Sequence, residues 1–108
     1  MNERRCYGDR MRRGTTPTNT FTVDVDLTSA VALYITYKQG ARVAIEKAID
    51  DIDITSKALA VTLTQKDTLK LTSGNVDIQV RARFPGGAAI ASNIVNVPVE
   101  RILKDGVI

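Results

Sequence analysis

Asp50, Asp51 and Asp53 form the densest group of carboxylates in the chain, and with a backbone carbonyl they would supply part of a calcium shell. Calcium takes about 6–8 oxygen ligands, so three carboxylates in one loop fall short, and the segment reads first as a solvated acidic turn. Asp24 and Asp26 share one strand face, where carboxylates serve as solvent-facing groups or partners of Lys and Arg more readily than as a glycosidase acid and base. Arg81, Arg83 and Gln79 also share a face, and acidic groups on an adjacent strand are the expected partners of the two arginines, ahead of a partner subunit. Of the five aromatic rings, Tyr7, Phe21, Tyr34, Tyr37 and Phe84, only Tyr34 is expected to be an exposed platform for a sugar. Cys6 lies next to Arg4 and Arg5, which would favour its thiolate, but the chain has no His and no second Cys. A triad, an internal disulfide and a Cys/His zinc site are therefore excluded. Gly86 and Gly87 follow Pro85 between two strands, which suits a hairpin turn and not a phosphate-cradling loop. The expectation is that the protein is not an enzyme and that no residue is catalytic, cofactor-binding or metal-ligating.

The elements that position these residues are short strands. Phe21, Val23, Val25 and Leu27 alternate with polar residues, predicting a strand over 20–27 with one buried face. Val31, Leu33, Ile35 and Tyr37 mark a second strand, and Gln39, Gly40 and Ala41 a tight connection to a third. The third strand has Val43, Ile45 and Ile49 inward, interrupted by Lys47. Ile52 and Ile54 reach back to the core from the acidic stretch, and Leu59, Val61 and Leu63 form the next inner row. Thr64 followed three positions later by Asp67 predicts a capped helical turn running through Leu69 and Leu71. Val76, Ile78, Val80, Ala82 and Phe84 give the cleanest strand, with Asp77, Gln79, Arg81 and Arg83 on its other face. A last strand over 88–99 changes apolar phase between Ile94 and Val95, which predicts a bulge, and Pro98 suits an edge. These elements predict an all-β fold, an antiparallel immunoglobulin-like β-sandwich of six to seven strands with one short helical turn, an open barrel being the rival.

A length of 108 residues fits one domain. The net charge of +3 equals that of residues 1–13 alone, where Arg4, Arg5, Arg10, Arg12 and Arg13 face Glu3 and Asp9. The body is balanced, which argues against a nucleic-acid surface. Residues 1–15 are read as a basic, disordered N-terminal tail and residues 16–108 as a single β-sandwich domain. No apolar stretch reaches the length of a membrane span or has the layout of a secretory signal. Ile102, Leu103, Val107 and Ile108 crowd large apolar side chains into the last seven positions. They either pack on their own domain or act as assembly contacts with another subunit, the second use being slightly favoured.

The run Arg12-Arg13-Gly14-Thr15-Thr16-Pro17-Thr18-Asn19-Thr20-Phe21-Thr22 resembles the opening of small phage and prophage proteins of Gram-positive bacteria, and Asp26-Leu27-Thr28-Ser29-Ala30 with the strand that follows resembles the start of their second strand. Those proteins are similar to the N-terminal domain of phage baseplate upper proteins. Leu63-Thr64-Gln65-Lys66-Asp67-Thr68-Leu69, Ala89-Ile90-Ala91-Ser92-Asn93-Ile94 and Leu103-Lys104-Asp105-Gly106-Val107-Ile108 fit the same pattern, so the resemblance runs over 11–108. It implies a non-enzymatic virion structural subunit of a tail tip or baseplate that acts through multimeric assembly. The expected partners are further copies of the chain or other phage structural proteins, with no nucleic acid and no membrane. Expected localisation is the virion after assembly and the host cytoplasm before it, without secretion by a signal peptide. The alternative is a small adhesion or ligand-binding module, for carbohydrate or calcium, working as a monomer.

Overall fold

The structure is a computed structural model that describes residues 10–108. Its strands are β1 (Met11–Arg12), β2 (Thr18–Thr22), β3 (Ala32–Gln39), β4 (Arg42–Ala48), β5 (Asp53–Thr55), β6 (Ala58–Thr62), β7 (Gly74–Arg83), β8 (Ala89–Ala91) and β9 (Val95–Glu100). A 3-10 turn, Ile49–Asp51, follows β4, and a single short helix, α1 (Gln65–Leu69), joins β6 to β7. The larger sheet has the order β1-β9-β7-β3-β4, with β8 beside β9 on the same edge of β7, and the smaller sheet is β2-β6-β5. All pairings are antiparallel except β1 with β9. This is the strand order of an immunoglobulin-like sandwich of the variable type, a three-stranded sheet facing a larger one. Six strands have five or more residues, and the short β1, β5 and β8 bring the total among the described residues to nine.

The core follows from the alternation. Leu33, Ile35 and Tyr37 of β3 and Val76, Ile78, Val80 and Ala82 of β7 point inward against Phe21, Leu59, Val61 and Leu63, all buried. Asn19 continues the inward row of Phe21, and its amide donates to the Tyr37 hydroxyl at 2.6 Å. A polar bond thus joins the two sheets within the apolar layer. At the helical corner, the Thr64 hydroxyl accepts from the Asp67 N–H (3.1 Å) while the Asp67 carboxylate accepts from the Thr64 N–H (2.9 Å), the reciprocal box predicted from the spacing.

Four details depart from the sequence reading, each for a local reason. Regular pairing of β2 ends at Thr22, five residues before Leu27, because its partner β6 begins at Ala58. Beyond that point only the N–H groups of Val23 and Leu27 still reach carbonyls of the turn at Lys57 and Ser56. Val43 faces outward and is exposed, since a bulge in the β3–β4 pairing turns both Ala44 and Ile45 inward. The last strand, expected to be continuous over 88–99, is broken into β8 and β9, and the expected phase change is a one-residue shift in their pairing with β7, between Arg81–Ala91 and Ile78–Val95. Ser92 stitches that gap, donating its N–H to the Val80 carbonyl and accepting from the Val80 N–H on Oγ.

The fourth departure is at the expected domain boundary near Thr16: the residues just ahead of it, from Met11, are part of the fold. Met11 is buried, β1 pairs with β9, and Arg13 donates to the carbonyls of Leu71 (2.6 Å) and Leu69 (3.1 Å). Arg10 and Arg12 both pair with Glu100. These three arginines therefore fasten the N-terminal segment to the body, whereas the predicted disorder of residues 1–9, with Cys6 and Tyr7, lies outside the described residues. Gly14 permits the turn after β1 at φ +75°, and a Cβ there would come within 2.8 Å of Ile102 Cδ1. Ile102 can yield, so the cost of Gly14→Ala is mainly the left-handed backbone, about 1–2 kcal/mol. Urea denaturation should show this as a lower midpoint at unchanged slope.

Candidate assembly surface

The four apolar residues singled out near the C-terminus divide by direction. Ile102 turns inward against Gly14, whereas Leu103 is 91% exposed, Val107 59% and Ile108 87%. The segment carrying them is tied down at several points. Arg12 donates to the Arg101 carbonyl at 2.8 Å, Arg13 pairs with Asp105 at 3.2 Å, and the Ile108 N–H donates to Gln65 Oε1 at 2.9 Å. Gln65 Nε2 returns a longer bond to the Ile108 carbonyl. Val107 lies beside a shallow depression lined by Thr16, Leu63, Thr64, Gln65 and Lys66, so it sits over the helical corner. Three large apolar side chains thus stand exposed on a backbone that is hydrogen-bonded to the body.

The helical corner beneath this segment is braced electrostatically. Lys47, which interrupts the inner row of β4, places its ammonium 2.8 Å from Asp67 Oδ2, and both side chains are largely buried. Burial alone would raise the Asp67 carboxyl, but the Lys47 bond and the two Thr64 bonds outweigh it and hold the group below its usual 3.8. Asp26, on the exposed face shared with Asp24, is likewise held low, by bonds from the backbone and hydroxyl of Thr28. Its carboxylate is a turn former.

The outer face of the larger sheet carries three more exposed apolar groups, and Val31, expected on the inner row, is also exposed, just ahead of β3. Tyr34 is 45% exposed, as expected, and Val43 and Ile94 add to it. Arg81 and Arg83 correct the sequence expectation: their cross-strand neighbours are Tyr34 and Ala91, and Ala32 and Ala89. With no acid opposite, neither forms an ion pair among the described residues, whose pairs are Arg10 and Arg12 with Glu100, Arg13 with Asp105 and Lys47 with Asp67. A shallow depression lies between Tyr34, Arg81, Arg83 and the small side chains Ala32 and Ala89.

No protein-family model matches the chain, and no curated protein is similar to it in sequence. Asp50, Asp51 and Asp53 lie on and just after the 3-10 turn with their side chains in solvent, while Ile52 between them is buried. Among the described residues no three His, Cys, Asp or Glu side chains are gathered as for a metal ion, and no helix is long and apolar enough to cross a membrane. Sequence reasoning missed the outward Val43 because a bulge reverses alternation without changing composition. Ile94 carries a signal, the phase break beside it, but a phase break predicts a bulge without saying which side chain it exposes.

Proposed function

We propose that this domain is a non-enzymatic structural subunit of a phage or prophage virion, of tail-tip or baseplate type, that works by assembling into multimers. The observation that carries the reading is the fixed apolar edge formed by Leu103, Val107 and Ile108 on a segment fastened to Arg13 and Gln65. Burying large apolar side chains on association returns roughly 25 cal/mol per Å² of apolar surface, so such an edge favours contact with a further subunit. The resemblance of the segments at 12–22, 63–69 and 103–108 to baseplate-type domains supports the choice of assembly. The mechanism is packing, with further copies or other virion proteins as partners, and the chain resides in the host cytoplasm until it is built in.

Tyr34, exposed beside Ala32, Arg81 and Arg83, favours a second reading, a monomeric adhesion or ligand-binding module. Particles released from a host carrying the gene separate the two. Under the structural reading the chain co-sediments with purified particles at fixed stoichiometry. Recovery solely from the particle-free fraction, with saturable binding to a glycan panel or to calcium that Tyr34→Ala abolishes, would replace it with the second.

A further inference from the structure

The outer face of the larger sheet is self-complementary, and the geometry points to a second copy of this chain as its occupant, packed face to face and turned end for end. The contact is separate from the C-terminal edge and stands on other residues. Along β7 the outward side chains run Asp77, Gln79, Arg81, Arg83, an acidic end followed by a basic one. Across the sheet the row of Arg81 holds Tyr34 and Ala48, and the row of Gln79 holds Thr36 and Glu46. Asp77 lies opposite Lys38 on one side and Asn96 on the other, and Asn96 donates to its Oδ1 at 2.8 Å. Arg81, Arg83 and Asp77 make no ion pair among the described residues.

A two-fold axis in the plane of the face, crossing the strands between the Tyr34 and Thr36 rows, exchanges these ends. It sets Arg83 of each copy over Asp77 of the other, Arg81 over Gln79, and Tyr34 over Thr36. The same rotation brings Lys38 over Ala32 and Glu46 over Ala48, so no like charges are opposed. Ile94 is carried towards Ala91, where the small side chain leaves room. Every contact is made twice, as an isologous interface requires, and facing sheets keep their strands within about 30° of alignment, which the antiparallel arrangement satisfies. The exposed apolar groups Tyr34, Val43 and Ile94 supply burial, and the charge stripe fixes the orientation.

The test uses the full chain carrying Leu103→Asp and Ile108→Asp, so that the C-terminal edge contributes nothing and its failure leaves this result untouched. In that background, sedimentation equilibrium should find a dimer. Arg83→Asp or Asp77→Arg, each placing like charges across the axis at two points, should weaken it about tenfold or more. Combining both reversals in one chain should restore the dimer, and mixing the two single variants should give a heterodimer. Circular dichroism of each variant checks that the sandwich is intact. A monomer at every concentration would hand the stripe to a different partner and overturn the proposal, as would a dimer indifferent to the reversals or unrestored by the swap.

Discussion

Asp67→Ala is expected to destabilise the domain by about 3 kcal/mol, because it removes the helix cap and leaves the Lys47 ammonium without its partner in a largely buried site. Asp67→Asn keeps an acceptor for the Thr64 N–H and drops only the charge, so its cost should be smaller. The loss should depend on pH in a defined direction. The carboxyl is lowered in the folded state, so its contribution is complete above the unfolded value of 3.8 and is lost as pH falls through the lower folded value. Wild type and Asp67→Ala should therefore differ most near neutrality and converge in acid. Urea midpoints measured across that range check both the size and the sign.

Tyr37→Ala should cost about 4 kcal/mol, through the cavity left by a fully buried ring and the loss of its bond from Asn19. Tyr37→Phe separates the two effects. It keeps the ring and removes the hydroxyl, and should cost about 1–3 kcal/mol because the Asn19 amide stays in the interior with one partner fewer. Thermal denaturation of the pair distinguishes a polar bond that holds the sheets from one incidental to packing. Equal stability of Tyr37→Phe and wild type would show the bond to be incidental.

The strands with strict alternation, β3, β6 and β7, were legible residue by residue, since burying one face forces period two. The Thr64–Asp67 box was legible for a similar reason: a cap is a local device whose partners are three residues apart. Non-local facts were not. Nothing near Arg13 in sequence indicates that it donates to Leu69 and Leu71 or pairs with Asp105, so a residue that reads as part of a solvated basic tail becomes a clasp onto the helical corner and the segment after β9. Lys47 looked like an interruption because its partner, Asp67, is contributed by the other side of the sandwich. The outward turn of Val43 depends on a bulge against β3, which composition does not encode.

The candidate surface was half legible. Four apolar residues near the C-terminus were visible as a group, but their division into Ile102 inward and Leu103, Val107 and Ile108 outward depends on where Gly14 and Gln65 come to rest. The pairing of Arg81 and Arg83 was misjudged because their strand neighbours are alanines and a tyrosine, and register is fixed by the whole sheet.

Light scattering of the full chain across a concentration series, beside the Leu103→Asp, Ile108→Asp variant, tests assembly through the C-terminal edge most directly. The expected result is a mass above two chains for the full chain and no more than two for the variant. Identical masses for the two proteins at every concentration would contradict the account and leave Leu103, Val107 and Ile108 without a role in assembly.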